Sequence, residues 1–375
     1  MLPTPSANTP RLADVLLSSI AATRGEENPL GLTSVTSAIV VLVDGLGMHN
    51  LSASSGHART LMSAVSRGSV ARTVFPSTTA AALASLSTAE LPGQHGLVGY
   101  AVRDPASGVV RNQLTGWGPQ MPSSWQRIPT LFERSKAAGL RADAIGLPSY
   151  ASSGFTGAVL RGADYVPGAT IADRLRIAAS RATAPGFSYV YIAELDQAGH
   201  AAGWQSPRWV AALEELDAAL RQTIRELPHH TGLILTADHG MIDVPSHRQL
   251  LVDQIAPELI ALSIAVAGEP RALSLYLADA TEADRAEYAA AWERALGDQV
   301  WALSREQAIA AGLFGEVAAE VVPRIGDVLL AARTQVALYD SRSASPNSLA
   351  MIGQHGSLSD EETRVPLLRF GAFSR

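Results

Sequence analysis

The chain has 375 residues, 47% of them hydrophobic and 17% charged, so it carries ample apolar material for a large core and lacks the polar bias of a disordered chain. A net charge of -6 argues against a nucleic-acid polymer as partner, because such binding rests on clustered positive charge. With no cysteine, disulfides, thiolate metal sites and a cysteine nucleophile are excluded.

Residues 1–24 hold no basic segment and no apolar run long enough for a signal or a membrane span. Leu12, Val15, Leu16 and Ile20 fall instead at helical spacing, and the expectation is a cytoplasmic protein with no membrane partner. Residues 37–43 (SAIVVLV) form a continuous β-branched run that ends in Asp44-Gly45, the pattern of a strand buried on both faces. Similar runs lie at 142–146, 187–193 and 232–236, and amphipathic helical stretches at 129–138, 171–181 and 207–227 separate them. Strands alternating with helices predict an α/β fold, a mostly parallel sheet between helical layers. Such sheets bind ligands at the carboxyl ends of their strands, and three of these runs end at or just before acidic residues: Asp44, Glu194 with Asp196, and Asp238.

From 245 to 347 the pattern is less regular, with a strand-like 272–277 and helical stretches at 280–296 and 305–311. This stretch is the expected smaller inserted cap, leaving 1–244 and 348–375 as the catalytic core. Serine-rich 341–348, with Pro346, reads as a loop that returns the chain to the core near His355.

Five short segments carry candidate chemistry: Val43-Asp44-Gly45, Pro76-Ser77-Thr78-Thr79, Asp196-Gln197-Ala198-Gly199-His200, Ala237-Asp238-His239-Gly240 and Gln354-His355-Gly356. Together they supply three aspartates and three histidines, a mixed oxygen and nitrogen set that suits two divalent cations. Each has a plainer reading. Asp44 before a glycine can close a turn, Asp196 and His200 can be a solvated helical pair, and Ser77, Thr78 or Thr79 can cap a helix. Asp238-His239 is the strongest single signal, since burying adjacent ionisable groups at a strand end is costly unless something coordinates them.

In order and spacing, these segments resemble the nucleotide pyrophosphatase/phosphodiesterase branch of the alkaline phosphatase superfamily, from Asp44 to His355. The resemblance implies an alkaline phosphatase-like core. It places Thr79 as nucleophile in a Pro-Ser-x-Thr motif, with Asp196, His200 and His355 on one metal and Asp44, Asp238 and His239 on the other. Thr79 would be a further ligand to the second metal, and zinc is the expected ion, with manganese or iron as alternatives. The implied activity is hydrolysis of phosphodiester or pyrophosphate bonds in nucleotide-like small molecules through a phospho-threonine intermediate. A phosphomonoesterase, a phosphonate hydrolase, and a binding protein without turnover are the alternatives.

The residues agree with that implication in two respects. The stretch after Thr79 (AAALASL) is a strong helix former, which puts Thr79 near a helix N-terminus where negative charge is favoured. Two divalent ions against three aspartates leave a positive site inside an acidic protein. The chain departs from the family where an asparagine commonly follows the His-Gly after the nucleophile helix: here, past His95-Gly96, stands Tyr100. Tyr150 and Phe155 are candidates for stacking on a base or aryl group. The single lysine, Lys136, offers no Lys-x-Arg pair of the kind seen in monoesterases, which favours diesters, although an arginine such as Arg161 could supply a cation from the loop region. Gly45-x-Gly47 lacks the third glycine of a dinucleotide fingerprint, since Asn50 stands there.

Overall fold

The structure is a computed structural model that describes residues 2–3 and 9–374. Six strands build most of the main sheet: β1 (Ser37–Val43), β2 (Val70–Arg72), β3 (Ala142–Gly146), β4 (Asp164–Pro167), β5 (Gly186–Ile192) and β6 (Thr231–Thr236). A separate sheet follows, with β7 (Ser263–Glu269), β8 (Ala272–Leu277), β9 (Val300–Ser304) and β10 (Val328–Ala332), and β11 (Arg364–Gly371) then returns to the first. The main sheet runs β2–β11–β6–β1–β5–β3–β4. β6, β1, β5, β3 and β4 are parallel, whereas β11 is antiparallel to both of its neighbours.

Every residue of β1 and β6 is buried, which is why both read as unbroken apolar runs rather than alternating ones. Around the sheet lie α1 (Ala13–Thr23), α2 (Thr79–Thr88), α3 (Ile171–Arg181), α4 (Glu194–Ala202) and α5 (Pro207–Glu226). α2 is buried at all ten positions, so its alanines let it press closely against its neighbours. α3 and α5 start where the sequence provides caps: the Thr170 side chain accepts from the Asp173 amide, and Ser206 from that of Trp209, with Pro207 in the first turn.

The second sheet is antiparallel throughout in the order β7–β8–β10–β9, and α6 (Glu282–Leu296) buries Trp292 against it. A buried ion pair ties this sheet to the main one. Arg271 holds Glu362 through two hydrogen bonds, of 2.9 and 2.7 Å, and also donates to the carbonyls of Thr334 and Val336. The expected loop at 341–348 is partly helical, because Ser345 caps a short helix, Pro346–Ala350, that begins with proline. Among the described residues, no helix is long and apolar enough to cross a membrane.

Candidate active site

Three neighbouring parallel strands deliver the site. Val43 is in register with Ile192 and Leu42 with Thr236, so Asp44, the start of α4 and the pair Asp238-His239 emerge side by side. β1 lies between β5 and β6, at the point where the chain winds outward in both directions, and a crevice opens there. Gly45, at φ +75°, lets α4 approach: a Cβ there would stand 3.2 Å from the Asp196 backbone. His355 comes from far along the chain, after the short strand Gly353–Gln354 pairs with Ile242–Asp243 beyond β6.

The six predicted ligands converge. His239 Nε2 lies 3.3 Å from Asp44 Oδ1 and 3.5 Å from Asp238 Oδ2, and His200 Nε2 lies 3.2 Å from Asp196 Oδ1. His355 Nε2 is 4.0 Å from the same Asp196 oxygen, and its ring stacks on His239 at 3.6 Å. Two triads draw their ligand atoms within 4.8 Å: Asp44, Asp238 and His239, and Asp196, His239 and His355. His239 is thus common to both, while His200 stands beside Asp196 at the edge of the second.

Each imidazole is set for coordination by its other nitrogen. Nδ1 of His200 meets the Gly353 carbonyl at 2.8 Å, Nδ1 of His355 the Ser77 carbonyl at 2.8 Å, and Nδ1 of His239 the Gly240 carbonyl at 3.1 Å. A carbonyl can only accept, so Nδ1 carries the proton and each Nε2 turns a lone pair toward the carboxylates. Among the described residues, Asp44 Oδ1, Asp196 Oδ1 and Asp238 Oδ2 are buried without a hydrogen-bond partner. Orphaned acceptors facing imidazole lone pairs are the arrangement that divalent cations of borderline hardness satisfy, and the residues fit such ions.

The protein alone pays for this arrangement in proton affinity. Burial, then the charges of Asp238 and Asp196, hold the Asp44 carboxyl well above the usual range, and burial together with Asp196 pushes Asp238 up to about 6. Burial acts on Asp196 in the same direction, but His200, His355 and His239 outweigh it and hold that group low. Burial lowers His239 to about 4 and His355 to about 3, so both are neutral at pH 7.

Thr79 opens α2, and its hydroxyl lies 3.3 Å from His239 Nε2. The helix-cap reading fails on the partners of its neighbours. Thr78 occupies the cap position without capping any amide, and it lines one cavity wall together with Glu269. Ser77 Oγ donates to the Ser357 carbonyl at 2.8 Å and accepts from the Gly356 amide at 3.2 Å. The nucleophile loop is therefore stitched to the loop that carries His355, and the Thr79 hydroxyl is left facing the carboxylates.

Two cavities meet at Thr79. One, of about 310 Å³, is largely apolar and runs between α2 and the ends of β3 and β5; Tyr150 and Phe155 are in its lining. The other, of about 420 Å³, is lined by Tyr100, Glu269, Ser345, Asn347 and His355. Thr79 and Asp196 line both. Arg161 does not reach the site: its guanidinium binds Glu133 and the carbonyls of Ser123, Gln126, Ala158 and Ile128. Glu194 turns away to the buried Arg174.

Sequence reasoning missed three residues. Tyr191 donates its hydroxyl to Asp44, and Tyr189 shares its face of β5; two tyrosines alternating just before a strand end were the available signal. Glu269, at the end of β7, accepts from the Tyr100 amide at 3.0 Å, and burial pushes its carboxyl up to about 8. Nothing local in the sequence marks it, since only the docking of the second sheet brings it to Thr78.

A threonine hydroxyl at a helix start, among three carboxylates, two of them fully buried, and three imidazoles at the carboxyl edge of a parallel sheet, defines an alkaline phosphatase-like hydrolase. The chain belongs to the type I phosphodiesterase / nucleotide pyrophosphatase family, whose model matches residues 38–358. Its fold is similar to that of murine ectonucleotide pyrophosphatase / phosphodiesterase 5, with TM-score 0.68, 18% identity, and coverage of 89% of this chain and 88% of that one. An inactive form of the murine protein in complex with AMP gives TM-score 0.66 and 17% identity over 89% and 88%. Phosphonoacetate hydrolase from Sinorhizobium meliloti 1021, in complex with phosphonoformate, gives TM-score 0.69 and 20% identity over 90% and 91%. Compared by sequence with curated proteins, the chain matches none.

Proposed function

We propose that the chain hydrolyses small phosphodiesters or pyrophosphates of nucleotide-like form, with Thr79 as nucleophile. The observation that carries this reading is the placement of Thr79 at the junction of two dissimilar cavities, which gives each ester arm its own compartment. Among the described residues, neither cavity is lined by lysine or arginine, and Lys136 is on the surface, paired with Asp164. A monoester dianion, or a phosphonate bearing a carboxylate, would enter without a side-chain cation to meet its extra charge. A diester carries one charge and one more apolar arm, which suits the walls.

Asp44, Asp238 and His239 would hold one divalent ion, with Thr79 as an added ligand, and Asp196, His200 and His355 the other; zinc is our first choice. When bound, such ions neutralise phosphate charge and favour the threonine alkoxide. Thr79 Oγ then attacks phosphorus as the ester oxygen opposite departs and takes up a proton. The first amides of α2, which lack intrahelical partners, face the phosphoryl oxygens and stabilise their negative charge. Water next displaces the Thr79 oxygen from phosphorus, releasing a monoester and restoring the hydroxyl. The test is kcat/KM for a bis-aryl phosphate against the aryl phosphate at equal pH and metal occupancy. The diester is expected to be the better substrate, and a clear monoester preference would overturn the proposal.

A further inference from the structure

We infer that Tyr189 sets the specificity of the apolar cavity, selecting an ester arm that is compact and flat and carries a hydrogen-bond acceptor at its buried end. The inference rests on the diesterase reading above, and it concerns what that reading leaves open: which arm enters the cavity.

Four tyrosines line this cavity, and three have engaged hydroxyls. Tyr165 donates to the Leu147 carbonyl at 2.7 Å, Tyr191 donates to Asp44, and Tyr150 accepts from Gln197 at 3.2 Å. The fourth, Tyr189, is 2% exposed, and among the described residues its hydroxyl has no hydrogen-bond partner. Buried tyrosine hydroxyls ordinarily find a partner, and one left over in the wall of a cavity marks the place where a bound molecule supplies it.

The strand geometry gives that position a depth. Tyr191 bonds Asp44 beside Thr79, and the backbone of Tyr189 lies two residues back on the same face of β5, about 7 Å farther from the carboxyl edge of the sheet. Beside it in register is Ala144 on β3, whose single methyl leaves room. The rest of that region is apolar, with Leu83, Ile145, Val159 and Leu160 in the lining. At about 310 Å³ the cavity is at the small end of ligand sites, which fits one ring system rather than a long chain. An arm that satisfies this wall is apolar along its faces and accepts one hydrogen bond from the Tyr189 hydroxyl at its tip.

The experiment uses two 4-nitrophenyl phosphodiesters whose second arm is benzyl or its isostere 4-pyridylmethyl, the ring nitrogen being the added acceptor. The metal-loaded wild type is expected to favour the pyridylmethyl diester by about tenfold in kcat/KM, the worth of one good buried hydrogen bond. Tyr189→Phe is expected to collapse that ratio toward one. Equilibrium binding of the two diesters to Thr79→Ala, and to Thr79→Ala combined with Tyr189→Phe, should repeat the pattern without turnover. Hydrolysis of both diesters with no preference in the wild type, as expected if the hydroxyl only holds a buried water, would overturn this inference and leave the diesterase reading intact. A parallel fall for both in Tyr189→Phe would also overturn it. Failure of the wild type to hydrolyse either diester would sink both.

Discussion

Removing the metals should destabilise this protein at neutral pH but not in acid. Without cations, Asp44 and Asp238 sit buried beside a His239 and a His355 that are neutral, and folding must then keep protons on carboxylates that water would ionise. Asp238 is held at about 6 by burial and by Asp196, against about 3.9 for an unfolded aspartate. A folded pKa raised above the unfolded one favours the fold below the lower value, and that support is lost as pH rises through the higher. Two units correspond to about 3 kcal/mol, lost between pH 4 and 6, and Asp44 adds to it in the same direction. An unfolding entropy of about 2.1 cal/mol/K per residue gives roughly 0.8 kcal/mol/K for the whole chain, so Asp238 alone lowers Tm by about 4 °C. The assay is thermal melting from pH 4 to 8, with and without chelator, on the wild type and Asp238→Asn. The chelated wild type should melt at least that much below the loaded protein at pH 7.5, the gap should close toward pH 4, and Asp238→Asn should flatten the chelated profile. Equal melting of loaded and chelated protein at pH 7.5 would refute the reasoning.

Thr79→Ala should cut turnover by on the order of 10⁴-fold or more while Tm and metal content stay near wild type, and Thr79→Ser should retain partial activity because it keeps the hydroxyl. Thr78→Ala should lose less than about tenfold, and if it were instead the inactive variant, the nucleophile would be misassigned by one residue. In His355→Ala and Asp238→Ala, metal content measured by elemental analysis should fall from about two ions per chain together with the rate; unchanged content in both would sink the ligand assignment. Arg271→Ala strands a buried Glu362 carboxylate and should cost about 3–5 kcal/mol in denaturant unfolding, whereas a volume-matched apolar pair at both positions should recover most of it.

Sequence by itself determined the α/β class, the buried parallel strands and the residues at their ends. The physical reason is local: an unbroken β-branched run such as SAIVVLV can only be a strand covered on both faces, and acidic residues that follow such runs emerge at the edge where ligands bind. It also placed Thr79 at a helix start, since the alanine-rich stretch behind it has little alternative. Tertiary structure alone decided what surrounds those residues. His239 lies within reach of both carboxylate groups, and the stacking of His355 on it depends on a loop more than a hundred residues away. Arg161 is held by backbone carbonyls and Glu133 outside the site, and Glu269 is carried to Thr78 by the docking of the second sheet. The two cavities that meet at Thr79, and the hydroxyl of Tyr189 left unpaired in one of them, exist only once strands distant in the chain lie side by side, because a pairing register decides which face each side chain takes and no short stretch of sequence contains it.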